Sequence, residues 1–215
     1  RTRLQGRTAM LVGMFVYLLH GMLDHWFVGP EHAAQVWFIR LMTLSVPGFV
    51  LLISLTPYFS RIRHLLLAFV GLAAGMGLMG MQLLLPVESA PYYYPMMVVV
   101  TFYTYNFVGT RFIYALCVDM LMLILYNLLF GHIMAYPAHV LVGHDFFIIS
   151  ANLIGGSAGY LAERQRRLLF LRERELDAER QHHLNRSLHD SLTGLPNCDL
   201  LYDRITQAME GARRD

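Results

Sequence analysis

Charged residues are scarce in this sequence of 215 residues: 15% are charged, 56% are hydrophobic, and lysine is absent. A soluble domain usually carries about a quarter charged residues, which argues against an ordinary soluble enzyme. Only two cysteines occur, Cys117 and Cys198, so no disulfide framework is expected. No signal peptide is visible, and because the chain begins at Arg1 rather than Met we expect a fragment of a longer protein. The net charge of +2 gives no indication of nucleic-acid binding.

The charges that are present are unevenly distributed. Of the 17 basic and 15 acidic residues, only nine lie between Thr8 and Tyr160. The division predicts a membrane domain over residues 1–162, followed by a charged tail. Runs of roughly 20 mainly apolar residues mark membrane spans. Six such runs are predicted, with breaks at Gly, Pro and polar residues: Thr8–Val28, Ala34–Leu55, His64–Leu85, Tyr92–Gly109, Phe112–Met134 and Val140–Ala162.

Arginine placement predicts the orientation of these spans. The loops on one side contain all of the arginines that flank spans: Arg1, Arg3, Arg7, Arg61, Arg63, Arg111, Arg164, Arg166 and Arg167. The loops on the other side contain Glu31, Glu88 and Asp145 but no arginine. Because basic loops stay in the cytoplasm, both termini are predicted to be cytoplasmic.

Small residues cluster on the third span, from Gly71 to Gly80, and on the sixth, from Gly155 to Gly159. Small residues allow helix backbones to approach closely in a membrane. Two interpretations remain open, packing within one chain and contact between two copies.

The segment 163–189 is predicted to continue the last span as one long helix, because no Gly or Pro occurs between Leu161 and Thr193. A heptad frame places Leu161 and Leu168 at position a and Leu171 at position d. Polar residues at other a positions weaken such a seam but can set its register. The segment is either a solvated linker helix or a parallel dimeric signalling helix with a weak, switchable seam.

The tail contains the motif D-S-L-T-G-L-P-N at residues 190–197, followed by an amphipathic helix pattern through Leu200, Leu201, Ile205 and Met209. This resembles the opening of a GGDEF domain, the α+β catalytic domain of diguanylate cyclases, which commonly begins D-x-L-T-G-L-x-N after a coiled-coil helix. The resemblance covers residues 190–215. It implies a bacterial inner-membrane protein whose homodimer makes cyclic di-GMP from two GTP molecules with Mg. It also implies that Asn197 contacts the guanine base of GTP.

The signature loop of that family, with its metal-binding acidic residues, does not occur in this sequence. We therefore expect these 215 residues to be catalytically inactive, with no catalytic residue among them. The predicted fold class is an all-α membrane protein. It comprises a six-transmembrane-helix bundle, a long cytoplasmic signalling helix and the truncated start of a GGDEF domain.

Histidines are concentrated on the side opposite the arginines: His20, His25, His32, His132, His139 and His144. His20 and Asp24 share a helix face by their i, i+4 spacing. Ionisable residues within spans mark functional sites by default, and imidazole is a common ligand of transition metals. The predicted metal ligands are His20, Asp24, His25, His144 and Asp145. Alternatively, two of the residues His20, His25, His132 and His144 could be the axial ligands of a b-type haem.

Arg40 and Asp24 lie at similar depths on the first two spans and are predicted to form an intramembrane ion pair. The alternative is an anionic-ligand or metal pocket that uses the same residues. Asp119 lies nearer the cytoplasmic side, with Arg111 or Asn106 as possible partners. The run Tyr92–Tyr94 is typical of an interface belt, whereas the aromatic residues deeper in the fourth span could line a cavity.

The sequence thus predicts the membrane sensor module of a diguanylate cyclase. In this hypothesis, a small ligand or ion binds at a periplasm-facing histidine and carboxylate site, and a dimeric helix transmits the change. Two alternatives remain: a receptor for a lipophilic small molecule and a haem-based quinone or redox sensor.

Overall fold

The structure, a computed structural model, describes the backbone of residues 2–106, 110–188 and 198–212. Within these ranges the chain is helical and contains no strand, which confirms the all-helical class. Two compact units are present, residues 1–163 and residues 164–215. The predicted boundary between membrane domain and tail lies one residue from the boundary between these units.

The described helices follow one another with short connections. They are α1 (Thr2–Phe27), α2 (Pro30–Ile53), α3 (Phe59–Leu83), α4 (Ala90–Asn106), α5 (Phe112–Tyr126), α6 (Ala138–Leu188) and α7 (Cys198–Ala212). A short 3-10 helix, Val87–Ser89, precedes α4, and a π-helical turn, Asn127–Ile133, continues α5. Gly29 has an extended backbone, and Pro30 begins α2, where its fixed φ and missing N–H are compatible with the first turn.

Among the described residues, five segments are long and apolar enough to cross a membrane: Gly6–Phe27, Pro30–Ile53, Phe59–Leu83, Phe112–Ile133 and Ala138–Gln181. Their outer surface carries large apolar side chains, such as Phe15, Phe38 and Phe49, which are 62–65% exposed. An apolar exterior of this kind is typical of a lipid-facing bundle. These features indicate a membrane protein.

In the part of the chain that the structure describes, five such helices are supported instead of the predicted six. The difference is α4, whose described part, Ala90–Asn106, has 17 residues and is therefore about 26 Å long at the α-helical rise. That length is short of the roughly 30 Å hydrocarbon core of a bilayer. The end of the predicted fourth span, residues 107–109, lies outside the described residues.

Helix α4 nevertheless runs alongside α1 in the opposite direction. Near the start of α4, Tyr93 bonds to Asp24 in the last part of α1. Ten residues later, Tyr103 bonds to the carbonyl of Ala9 in the first part of α1. The two helices are therefore antiparallel over most of the length of α4.

Helix α3 is central in unit 1 and packs against α2, α4 and α5. Its glycines make this possible: a Cβ atom at Gly71 would collide with Thr104, and one at Gly75 would collide with Met122. On α6, a Cβ at Gly159 would lie 3.0 Å from the carbonyl oxygen of Tyr105. The sequence alone allows two interpretations of these small residues. In the structure, Gly71, Gly75 and Gly159 form close contacts within one chain.

Helix α6 extends without interruption for 51 residues, from Ala138 to Leu188. This confirms the prediction that the last span continues into the charged tail as a single helix. Helix α7 likewise confirms the helix predicted from Leu201, Ile205 and Met209. The motif at 190–197, including Asn197, lies outside the described residues, and the described part of the tail does not support an α+β domain.

Candidate functional site

A buried ion pair joins α1 and α2. Arg40 Nη2 lies 2.7 Å from Asp24 Oδ2 and 2.9 Å from Oδ1, and Arg40 Nε lies 3.2 Å from Oδ2. The two residues are 0% and 4% exposed. A charge-assisted, multiply bonded contact of this kind fixes the relative position of both side chains.

Neighbouring residues complete the environment of this pair. Arg40 Nη1 donates to the carbonyl of Tyr17 at 2.8 Å, and the guanidinium carbon lies 5.1 Å from the centre of the Tyr17 ring. From α4, Tyr93 Oη donates to Asp24 Oδ1 at 2.7 Å. Gly21 permits the approach, because a Cβ there would lie 2.8 Å from Arg40 Nε. We call Tyr17, Asp24, Arg40 and Tyr93 the first cluster.

The two histidines of α1 are not both directed at this cluster. His20 is partly buried and packs edge-on against Tyr93, with 5.7 Å between ring centroids. Its Nδ1 has no hydrogen-bond partner in the part of the chain that the structure describes. His25 is exposed and packs against Trp26. His20, Asp24 and His25 therefore do not converge on one point.

A second buried polar cluster joins α3, α5 and α6. Tyr126 Oη and His144 Nδ1 share a hydrogen bond of 2.6 Å, and Gln82 Nε2 donates to Tyr126 Oη at 3.2 Å. The ring of Tyr94 stacks on the His144 ring, with centroids 4.1 Å apart. All except Tyr94 are buried. We call Gln82, Tyr94, Tyr126 and His144 the second cluster.

The connection from α5 to α6 lies next to this cluster. Tyr136 N donates to the carbonyl of Phe130 at 2.8 Å, and the preceding Ala135 has a left-handed φ of 48°. The Tyr136 side chain is buried, and its Oη lacks a hydrogen-bond partner among the described residues. Burial raises the pKa of the Tyr136 phenol.

The π-helical turn Asn127–Ile133 begins directly after Tyr126. Such turns are rare in proteins, and those that occur are often located at functional sites. Within the turn, Asn127 Nδ2 donates to Asp145 Oδ1 at 2.9 Å, which fixes the start of α6 to the end of α5. His132, near the end of the turn, is exposed.

The predicted metal and haem ligands are thus distributed over several places. His20 and Asp24 lie at the first cluster, His144 belongs to the second and Asp145 is bonded beside it, whereas His25 and His132 are exposed. Across residues 2–106, 110–188 and 198–212, no group of three or more His, Cys, Asp or Glu side chains is arranged to hold a metal ion. The metal and haem interpretations stay predictions.

Helix α4 links the two clusters through consecutive residues. Tyr93 bonds to Asp24 in the first cluster, and Tyr94 stacks on His144 in the second. The sequence interpretation of this run as an interface belt fits Tyr92, which is exposed and stacks on Phe27. It misses the inward contacts of the next two tyrosines.

Asp119 on α5 is buried near the other end of α4. Thr104 Oγ1 donates to Asp119 Oδ2 at 2.6 Å, and Thr101 lies beside the same carboxyl group. Asp119 Oδ1 has no hydrogen-bond partner within the described chain. Neither partner suggested by the sequence is found: Arg111 is exposed, and the Asn106 amide donates to the carbonyl of Phe102.

An apolar cavity of about 280 Å³ lies among α1, α2, α3 and α4. Its lining includes Met10, Pro47, Ala74, Met96 and Val100, together with Tyr17 from the first cluster. Val16 and Val99 also line it and are exposed at the bundle surface. The cavity therefore opens towards the lipid between α1 and α4.

No protein family, curated protein or solved structure matches this chain in comparisons with known proteins.

Proposed function

We propose that this chain is a membrane sensor module that transmits a signal from its helical bundle to a cytoplasmic diguanylate cyclase domain. The observation that carries the proposal is the continuity of α6. This single helix begins at Ala138, contributes His144 to the second cluster and extends to Leu188, two residues before the motif that resembles the start of a GGDEF domain. A helix without a break can carry a displacement or rotation along its whole length.

The contacts between the two clusters provide a path by which a change at the first cluster can reach α6. A change at the Asp24–Arg40 pair alters the bond to Tyr93, and the adjacent Tyr94 stacks directly on His144 of α6. Because buried polar networks have discrete bonded arrangements, a ligand that favours one arrangement shifts the population of α6 states. This path requires no contact between the ligand and α6 itself.

The proposed topology has six crossings with both termini in the cytoplasm of a bacterial cell. Arginine placement supports the orientation. The antiparallel course of α4 beside α1 supports a short fourth crossing. The two polar clusters then face the periplasmic half of the inner membrane.

We further propose that the active form is a parallel homodimer through the charged part of α6. In the single chain the predicted seam residues Leu161, Leu168 and Leu171 are 47–55% exposed. A second copy in the same orientation would cover them in a coiled coil. The polar residues elsewhere along the seam keep this contact weak, as a switch between two states requires.

A fusion protein with shifted helix phase tests the transmission. Residues 1–197 are joined to the remaining catalytic part of an active diguanylate cyclase, and cyclic di-GMP formation from GTP is measured in membrane vesicles. An insertion of two residues after Arg172 rotates everything beyond it by about 200°. An insertion of seven residues lengthens the helix but restores the phase to within about 20°.

We expect the two-residue insertion to change the cyclase activity several-fold and the seven-residue insertion to restore it. The seven-residue variant is the matched control for lengthening and for disturbance of the helix. Equal activity of all variants would overturn transmission through α6.

The nature of the input is tested separately by an absorbance spectrum and elemental analysis of the protein purified in mild detergent. A Soret band near one haem per chain would support a haem or redox sensor with axial ligands among His20, His25, His132 and His144. A bound transition metal without a Soret band would support an ion sensor. The cavity beside Tyr17 favours a lipophilic molecule instead, and for it we expect colourless, metal-free protein.

A further inference from the structure

Asp119 on α5 is a second buried carboxyl group of the bundle, and its surroundings differ from those of Asp24. Asp119 is 1% exposed and lies about 10 Å along α5 from the first residue of that helix. The polar groups beside it are the hydroxyls of Thr101 and Thr104 on α4. Asp24, by contrast, is bonded to the guanidinium of Arg40. The protein thus provides a cation for one buried carboxyl group and neutral hydroxyls for the other.

The helices that pack against α5 bring no cation to this carboxyl group. Residues 65–83 of α3 and residues 90–106 of α4 include no Asp, Glu, Lys, Arg or His, and Asp119 is the one charged residue of α5 from Phe112 to Tyr126. No ion pair to Asp119 occurs among the residues that the structure describes. A carboxylate that is buried in a membrane without a cation is costly, and such a group is neutralised by a proton instead.

The titratable groups of the neighbouring helices are phenols or lie towards the helix ends. Tyr105 from α4 faces Asp119, and its own hydroxyl donates to Asn152 Oδ1 on α6 at 3.1 Å. On α3, His64 stacks on the ring of Tyr114, five residues before Asp119 in the sequence. Residues 146–162 of α6 include no charged side chain. The next residue, Glu163, accepts a hydrogen bond from the first backbone N–H of α5.

The hydroxyl of Thr104 has more acceptors than it has protons. Thr104 Oγ1 lies 2.6 Å from Asp119 Oδ2, 2.8 Å from the carbonyl oxygen of Thr101 and 3.1 Å from that of Val100. Its orientation is fixed because the Thr104 methyl group faces Gly71 on α3. If Asp119 carries a proton on Oδ2, it donates to Thr104 Oγ1, and Thr104 donates onward to the two carbonyls. All three short contacts are then hydrogen bonds.

We propose that Asp119 is a proton-binding site of the folded bundle, where it remains a neutral acid and donates a hydrogen bond to Thr104 Oγ1. The bond of 2.6 Å between the two side chains is then reversed in direction. Loss of the proton would leave an unpaired charge between α4 and α5, and α4 is the helix that links the two clusters. The claim that proton loss is a signal rests on the proposed function. The claim that the proton is bound does not, because its readouts require no cyclase activity.

Infrared spectroscopy of the whole chain in lipid nanodiscs tests for the proton directly. At about pH 6 exposed Asp and Glu are ionised, whereas a protonated carboxyl group has its own C=O stretching band. We expect such a band to disappear in Asp119→Asn. It should remain in the matched control Asp145→Asn, which alters a carboxyl group that bonds to Asn127. Thr104→Val should keep the band but move it to higher frequency, because the acid then lacks its acceptor.

The stability of the same variants provides a second readout. Unfolding exposes Asp119, which then releases its proton. Between about pH 5 and pH 6, the unfolding equilibrium constant of the unsubstituted protein should therefore rise about tenfold relative to that of Asp119→Asn. Asp145→Asn should show no such rise when it replaces the unsubstituted protein in the comparison with itself at both pH values.

Three results would overturn the proposal. The first is a spectrum at about pH 6 in which Asp119→Asn removes no acid band. The second is a ratio of the two unfolding constants that does not change with pH. If Asp119→Asn fails to fold, Thr104→Val keeps the proposal testable, and an acid band that does not move in this variant is the third.

Discussion

Tyr93 Oη donates a 2.7 Å hydrogen bond to Asp24 Oδ1, an atom of the same carboxylate that Arg40 binds through two of its nitrogens. One buried carboxylate thereby connects three helices, α1, α2 and α4. The residue after Tyr93 stacks on His144 of α6. Asp24 is thus the point at which a change in α1 or α2 can reach the helix that leaves the bundle.

Removal of the Tyr93 hydroxyl should destabilise the bundle. Tyr93→Phe keeps the ring but leaves one oxygen of Asp24 with fewer donors, so we expect the free energy of unfolding to fall by about 1–3 kcal/mol. Titration with denaturing detergent, followed by circular dichroism, measures this loss. Tyr92→Phe is the control, since Tyr92 is exposed and stacks through its ring. Equal loss in both variants would contradict the assigned bond.

Replacement of Arg40 should have a larger effect. Arg40→Met leaves the Asp24 charge buried without a cation, for which we expect a loss of about 3–5 kcal/mol. The double variant Arg40→Met/Asp24→Asn removes both charges and should recover part of that stability. Arg111→Met is the control on an exposed arginine. A double variant no more stable than Arg40→Met would show that the pair does not act as a unit.

The bond between Tyr126 and His144 should appear as coupling in a double-mutant cycle. We expect Tyr126→Phe and His144→Leu to be non-additive, with an interaction energy of about 0.5–3 kcal/mol, because the residues share one buried bond. Unfolding of the two single variants and the double variant provides the cycle. Strict additivity would mean that the 2.6 Å contact contributes nothing to stability.

Two glycines of α6 should respond oppositely to alanine. At Gly143 a Cβ meets nothing within 4 Å, so Gly143→Ala should be neutral or stabilising by up to about 1 kcal/mol through helix propensity. At Gly159 a Cβ would lie 3.0 Å from the Tyr105 carbonyl oxygen and 3.3 Å from its Cβ. Gly159→Ala should therefore lower the thermal unfolding temperature. A rise for both variants would contradict the close packing of α4 on α6.

Sequence patterns are informative where the answer depends on one helix or on two consecutive helices. The absence of Gly and Pro after Leu161 predicts the continuous α6, and similar depth on two adjacent spans predicts that Asp24 and Arg40 meet. Both inferences need only helix geometry and the direction of each span. The length of each helix is harder to predict, because a run of apolar residues does not show that the described part of α4 has 17 residues.

The histidine site is harder to predict, because it depends on which helices are neighbours. The i, i+4 spacing of His20 and Asp24 defines a shared face but does not show that Tyr93 and Arg40 occupy it. Similarly, the partners of His144 come from α3, α4 and α5, which no local pattern identifies. The π-helical turn after Tyr126 also alters helical phase at that point, and hydrophobic periodicity gives no indication of it.

The distance between the α6 helices of two copies tests the central claim most directly. A spin label at Glu173→Cys, with Cys117 and Cys198 replaced by serine, reports this distance by pulsed electron resonance in nanodiscs. We expect a defined distance between copies. This distance should shift in Tyr94→Leu, because that variant uncouples His144 from α4, and it should remain unchanged in Tyr92→Leu. If no distance between copies is detected, or if Tyr94→Leu leaves the distance distribution unaltered, the result would contradict a dimeric α6 that responds to changes in the two clusters.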